Sequence, residues 1–159
     1  MKFYEDIEIG DRIEIGSHLF TAEEIIRFAT AYDPQRFHLS DEAAAKTHFG
    51  RLCASGWHTA SVWMRLMVEF RNRELKRAAD AGLPVARLGP SPGFETLKWV
   101  KPVFAGDCIS YTSEVVAKRE SRTRPQWGIV KNENAGTNQN GEVVFRFRSS
   151  VFVERRSGQ

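Results

Sequence analysis

The sequence predicts an α+β fold in which a curved antiparallel sheet wraps one long helix. Three observations predict it. A helical pattern runs unbroken from about Ser55 to about Ala81; β-patterned segments cluster after it, with one before; and nothing in the 159 residues repeats or reads as a low-complexity linker. A chain of this length can bury a sizeable core in one unit, so a single domain spanning residues 1–159 is expected.

Residues 12–20 alternate in part, with Ile13, Ile15 and Leu19, and read as the first strand. Thr21-Ala22-Glu23-Glu24 has the form of a capping box, with Thr21 as N-cap and Glu24 three residues on. The helix it opens carries Ile25, Ile26, Phe28 and Ala29 on one side, and Pro34 should stop it at Asp33 by disfavouring helical geometry there. Ser40-Asp41-Glu42 starts a short second helix, acidic in its first turn as the dipole prefers.

In the long helix Ala60, Trp63, Met64, Met67, Val68 and Leu75 recur mostly at helical spacing. Its first half is charged only at Arg65 and should be buried, whereas Glu69 to Asp80 is densely charged and should face solvent. Gly82-Leu83-Pro84 terminates it. The strands then expected are Gly93 to Val100, Cys108 to Lys118, Gln126 to Asn132 and Glu142 to Val153. In the second of these Ile109, Tyr111, Ser113, Val115 and Ala117 share a face. In the last, Val143, Phe145, Phe147, Val151 and Val153 oppose Arg146 and Arg148. Asn140-Gly141 before that strand signals a type I′ turn.

Composition narrows the function classes. Hydrophobic residues at 42% and charged residues at 27% suit a soluble globular protein, and no segment approaches the ~18 apolar residues of a membrane span. The acidic residues in Met1-Lys2-Phe3-Tyr4-Glu5-Asp6 stand where a signal peptide needs an apolar run, so a cytoplasmic protein is expected. The net charge of +3 is mild; its clusters, among them Arg119, Arg122 and Arg124, suit a small anionic ligand better than nucleic acid. Cys53 and Cys108 form no disulfide framework or zinc pattern. His48 and His58 also lack the i, i+4 spacing of helical metal ligands, so no metal is expected.

Asp33 and His38 carry the chemistry most legible in the chain. They flank a short turn, a spacing that can bring a carboxylate and an imidazole onto one water or substrate proton. Asp33 falls at a helix C-terminus, where the dipole opposes a further negative charge and is expected to raise its basicity. Gln35 either hydrogen-bonds this turn or faces solvent. Gly56 opens the long helix, whose first N–H groups are unpaired and suit a developing oxyanion, although it can equally be a packing glycine. Cys53 lies just before a helix N-terminus, and a Cys53/His58 nucleophilic pair is conceivable, but a buried small residue is the expectation. Trp57, Trp63, Met64 and Met67 read as core or interface packing.

These blocks resemble the MaoC-like family of hot-dog proteins, which includes the (R)-specific enoyl-CoA hydratases. Asp33 and His38 keep the family's Asp-to-His spacing; Gln35 stands for its Asn, the proline moves to Pro34, and Phe37 replaces an aliphatic residue. Phe49-Gly50 through Ala54-Ser55-Gly56-Trp57 resembles the entry to the central hot-dog helix. Ser91-Pro92-Gly93-Phe94 and Pro102-Val103-Phe104-Ala105-Gly106-Asp107 resemble a second block, so the likeness covers residues 5 to 153. Met64 departs from a serine found in some family hydratases.

The resemblance implies a hydratase or dehydratase acting on a coenzyme A thioester without other cofactor. In it Asp33 is general base, His38 orients the water, Gly56 donates to the thioester oxygen, and Gln35, Ser55 and Trp57 are substrate-binding positions. It implies a homodimer or higher homo-oligomer, with Arg119, Arg122 or Arg124 as candidates for the CoA phosphates. The alternatives are a hot-dog thioesterase, for which Glu69, late in the long helix, is the candidate acid, and a non-catalytic acyl-CoA-binding module.

Overall fold

A computed structural model describes residues 1–156. Five strands, β1 (Arg12–Leu19), β2 (Gly93–Trp99), β3 (Cys108–Glu120), β4 (Trp127–Thr137) and β5 (Val143–Glu154), form one antiparallel sheet in the order β1-β3-β4-β5-β2. The helices are α1 (Ala22–Tyr32), α2 (Asp41–Ala45) and α3 (Gly56–Asp80). The sheet and the long α3 together make the hot-dog arrangement the sequence led us to expect.

Helix ends follow the local chemistry. Thr21 Oγ accepts the N–H of Glu24 at 3.2 Å, so half of the capping box forms. The Glu24 carboxylate turns instead to His18 Nε2, 3.1 Å away. Helix α1 ends at Tyr32 with Asp33 as C-cap, and Ser40 Oγ caps α2 through the N–H of Ala43. At the end of α3, Gly82 takes φ +64° while Leu83 and Gly82 donate to the carbonyls of Ala78 and Ala79, a Schellman closure.

The core face of α3 carries Val62, Trp63, Leu66 and Met67 against Ile15, Phe20, Tyr111, Phe145 and Phe147. Met64, Val68 and Leu75 do not belong to that face. They lie exposed, because the buried stripe is narrower than the apolar positions suggested. A second apolar cluster of Tyr4, Ala86, Val115, Val130 and Val153 lies toward the other end of the sheet. Between the two, the inner face turns polar on three adjacent strands at Ser113, Asn134 and Ser149, with Asn134 Nδ2 donating to Ser149 Oγ at 3.0 Å.

Four expectations about the strands and their turns need correction. Strand β4 runs on to Thr137, five residues past the expected end, because its polar residues Asn132, Glu133 and Asn134 pair with both neighbours. The Asn140-Gly141 turn is not type I′. Only Gly141 has positive φ there, at +79°; Gly141 N–H donates to the Asn138 carbonyl and Asn138 N–H to that of Glu142, which makes a type I turn with a glycine bulge. Val143 is exposed and Val144 buried in its place, because a register shift separates Thr137↔Val143 from Gly136↔Phe145. A similar shift between Val115 and Ala117 takes Ala117 out of alternation.

Candidate functional site

Pro34 ends α1, and the chain turns through a short 3-10 segment (Arg36–His38) that aims His38 inward. His38 is buried, and Asp33 Oδ2 lies 3.4 Å from its Nε2. On the far side of the ring, Nδ1 lies 2.7 Å from the carbonyl oxygen of Cys53. A carbonyl only accepts, so Nδ1 carries the proton, and in the neutral ring Nε2 presents its lone pair to the Asp33 side.

Asp33 is held by more than His38. Gln35 Nε2 donates to Asp33 Oδ1 at 2.8 Å, although Gln35 is otherwise exposed. Burial raises the pKa of Asp33, but hydrogen bonds from Gln35 and the Ser55 hydroxyl, with the charge of His38, outweigh it and leave the pKa lowered. The expected gain in basicity from the α1 dipole is therefore overturned: direct donors to the carboxylate win over a helix end.

The long helix starts at the same place. Ser55 is buried and caps α3 by accepting the N–H of Trp57 at 3.2 Å. Among the described residues the N–H of Gly56 has no acceptor. A Cβ added at Gly56 would fall 2.3 Å from the indole of Trp99, so the packing reason for this glycine is real and is compatible with a free N–H. Trp57 is half-exposed, with its ring edge-on to Trp99 at 5.2 Å.

These groups share one cavity of about 410 Å³. Asp33, Gln35, His38, Ser55, Gly56 and Trp57 all line it, and Phe37, Phe49, Val103 and Val144 supply apolar wall. A carboxylate, an imidazole lone pair and a free backbone N–H on one apolar-walled cavity can bind a water and polarise a carbonyl together.

Other expectations fall elsewhere. Arg119, near the end of β3, and Arg122 and Arg124, in the β3–β4 connection, lie at the end of the sheet away from the cavity. Lys101, paired with Glu142, is the cation on the cavity wall. Met64 does not line the cavity, and neither does Glu69, which lies 3.9 Å from Arg65 on the outer side of α3. Cys53 is buried, and burial pushes its thiol up to about 11; its close imidazole neighbour is His38, at 3.7 Å, rather than His58. Trp63 and Met67 are core, whereas Trp57 and Met64 are not. Among the described residues no cluster of His, Cys, Asp and Glu fits a metal ion, and no helix is long and apolar enough to cross a membrane.

Sequence reasoning missed the Cys53 carbonyl, which orients His38 through the backbone, and Trp99. Neither contact leaves a motif, since both depend on long-range pairing. Trp99 could have drawn notice only as a lone large aromatic beside Lys101-Pro102.

The pattern of the MaoC like domain matches residues 8–138. A MaoC-like dehydratase from Rhodospirillum rubrum shares 39% of its sequence with this chain and superposes with a TM-score of 0.82 over 99% of this chain and 100% of that one. An (R)-hydratase from A. caviae involved in PHA biosynthesis superposes with a TM-score of 0.65 over 92% of this chain and 97% of that chain; at 24% identity it shows a shared fold. The mesaconyl-CoA hydratase of Cereibacter sphaeroides is 27% identical over 98% of this chain, which spans 42% of that enzyme's length. With the family pattern over most of its length and a matching fold, the chain belongs to the MaoC-like dehydratase family.

Proposed function

We propose that this protein catalyses the reversible addition of water to a trans-2-enoyl-CoA thioester, giving a (3R)-hydroxyacyl-CoA. The observation that carries the reading is the convergence of Asp33 and His38 on the cavity that the free N–H of Gly56 also lines. With Nδ1–H given to Cys53, the Asp33 carboxylate and His38 Nε2 are two acceptors 3.4 Å apart. One water can give an O–H to each, which fixes its lone pairs toward the substrate.

The step balances simply. Asp33 takes a proton from water as the water oxygen bonds to C3 of the enoyl group. The π electrons move onto the thioester oxygen, which accepts the N–H of Gly56 at the positive end of α3. The proton held by Asp33 is then delivered to C2 of the enolate, which restores the carboxylate, and the thioester re-forms. His38 orients the water; Gln35 and Ser55 hold the Asp33 carboxylate; Trp57 contributes wall. Membership of a dehydratase family and the mesaconyl-CoA hydratase likeness support this hydro-lyase reading. In it the substrate is carried as a coenzyme A thioester, without other cofactor, and the protein works as a homodimer.

The test is loss of the enoyl-thioester absorbance with crotonyl-CoA and with longer and branched enoyl-CoAs. Wild type removes the band without releasing thiol, and Asp33→Asn, folded by circular dichroism, is slowed by about 10²–10⁴-fold. Thiol release would indicate a thioesterase. Binding of CoA esters without turnover would indicate a binding module, and equal turnover by the variant would remove Asp33 from the mechanism.

A further inference from the structure

The indole of Trp99 lies unusually close to the residue that opens α3. An ideal Cβ on Gly56 falls 2.3 Å from Cε2, 2.4 Å from Nε1 and 2.5 Å from Cδ2 of that ring. Three near-equal distances mean that the pyrrole side of the indole covers Gly56. Adding the ~2.5 Å between a backbone nitrogen and its Cβ, set by standard covalent geometry, puts Trp99 Nε1 within about 5 Å of the Gly56 nitrogen. Two donors that close can share one oxygen at about 2.9 Å from each.

Nothing in the fold employs the indole N–H. Among the described residues Trp99 Nε1 has no acceptor, while Trp99 lines the same cavity as Asp33, His38 and Gly56. Its placement has a structural cause. Register in β2 shifts between Glu95 and Lys98, and Thr96 holds φ +52°, a conformation costly for a β-branched residue. Such bulges re-aim the side chains that follow them. Here the strained bulge stands three residues before Trp99, on a strand whose other side chains are mostly exposed.

We infer that Trp99 is a further catalytic residue, its indole Nε1–H donating beside the Gly56 N–H to the thioester oxygen of the substrate. The inference rests on the hydratase reading for its chemistry. It makes the oxyanion site a two-donor site built from one backbone and one side-chain group, on α3 and on the edge strand.

The decisive variant is Trp99→Phe, which keeps an aromatic ring over Gly56 and removes the donor. It is expected to lower kcat by about 10²-fold with KM little changed, since one lost oxyanion donor costs on that order. A second readout needs no turnover. In protein labelled with ¹⁵N at the indoles, saturating butyryl-CoA should move the Trp99 Nε1–H resonance downfield, and CoA alone should not; Trp99→Phe assigns the peak. Wild-type kcat in Trp99→Phe overturns the inference, as does a Trp99 resonance that stays put while butyryl-CoA binds. Wild type that binds butyryl-CoA but turns over no enoyl-CoA defeats the hydratase reading, and the resonance shift then decides the donor separately. Failure to bind at all overturns both.

Discussion

The imidazole of His58 lies parallel to the ring of Phe28, with centroids 4.6 Å apart and planes 6° from coincident, while Phe20 meets it edge-on at 5.0 Å. An uncharged ring suits this sandwich; a charged one would be stranded, and among the described residues its buried Nδ1 has no partner. Burial accordingly pulls the pKa of His58 down from 6.5 to about 4, against a partly opposing pull from Glu24.

Stability should therefore fall in mildly acidic solution. Between about pH 6.5 and 4 the unfolded chain binds a proton at His58 that the folded chain refuses, so stability is full above the upper value and declines as pH drops toward the lower. The total is on the order of 3 kcal/mol. Thermal unfolding followed from pH 7.5 to 4.5 should show the decline, and His58→Phe should flatten it. An equally steep decline in the variant would assign the effect to other groups.

Gln35 gives a second titration with the opposite location. Its amide donates to Asp33 at 2.8 Å and is one of the bonds that lower that carboxyl. Gln35→Leu should raise the Asp33 pKa and move the acidic limb of the kcat/KM profile to higher pH, with the plateau less affected. An unmoved limb would mean that Asp33 is not the group whose ionisation is read.

Gly56 and Trp99 should be coupled in stability. Gly56→Ala drives a methyl group into the indole, an overpacking that costs about 1–3 kcal/mol. In a Trp99→Ala background the same change should cost close to nothing, because the obstacle is gone. A double-mutant cycle by thermal unfolding measures this, and additive effects would contradict the contact.

Strand β2 ends the sheet with one row of backbone groups unpaired; Phe94, Trp99 and Val100 on and just after it are exposed, and Trp99 meets the exposed Trp57 of α3 edge-on. A second copy pairing along this edge would bury both the row and the patch. Sedimentation should give a dimer, and Phe94→Asp should shift it toward monomer at micromolar concentration. A wild-type monomer would reject the assembly.

The sequence made the helices legible because their ends are chemical: Thr21, Ser40, Ser55, Pro34 and Gly82 each act within a few residues of their own position. Asp33 and His38 were legible for the same reason, sitting on one turn. What local pattern could not show depended on strand register. The bulge that swaps Val143 for Val144, the one that precedes Trp99, and the backbone carbonyl that orients His38 arise from pairings between distant residues. The lowered pKa of Asp33 escaped too, because Ser55, a principal donor, lies 22 positions away in the chain.

The polar row of Ser113, Asn134 and Ser149 divides the interior into two apolar compartments, and the cavity borders only the one that holds Val103 and Val144. The compartment around Tyr4 and Val153 can then open on its own timetable, its amides exchanging with solvent while the hydrogen-bonded amides packed around Ile109 and Phe145 stay protected. Substitutions there would spend stability without touching turnover, which leaves that half of the molecule free to drift in sequence while the catalytic half stays constrained.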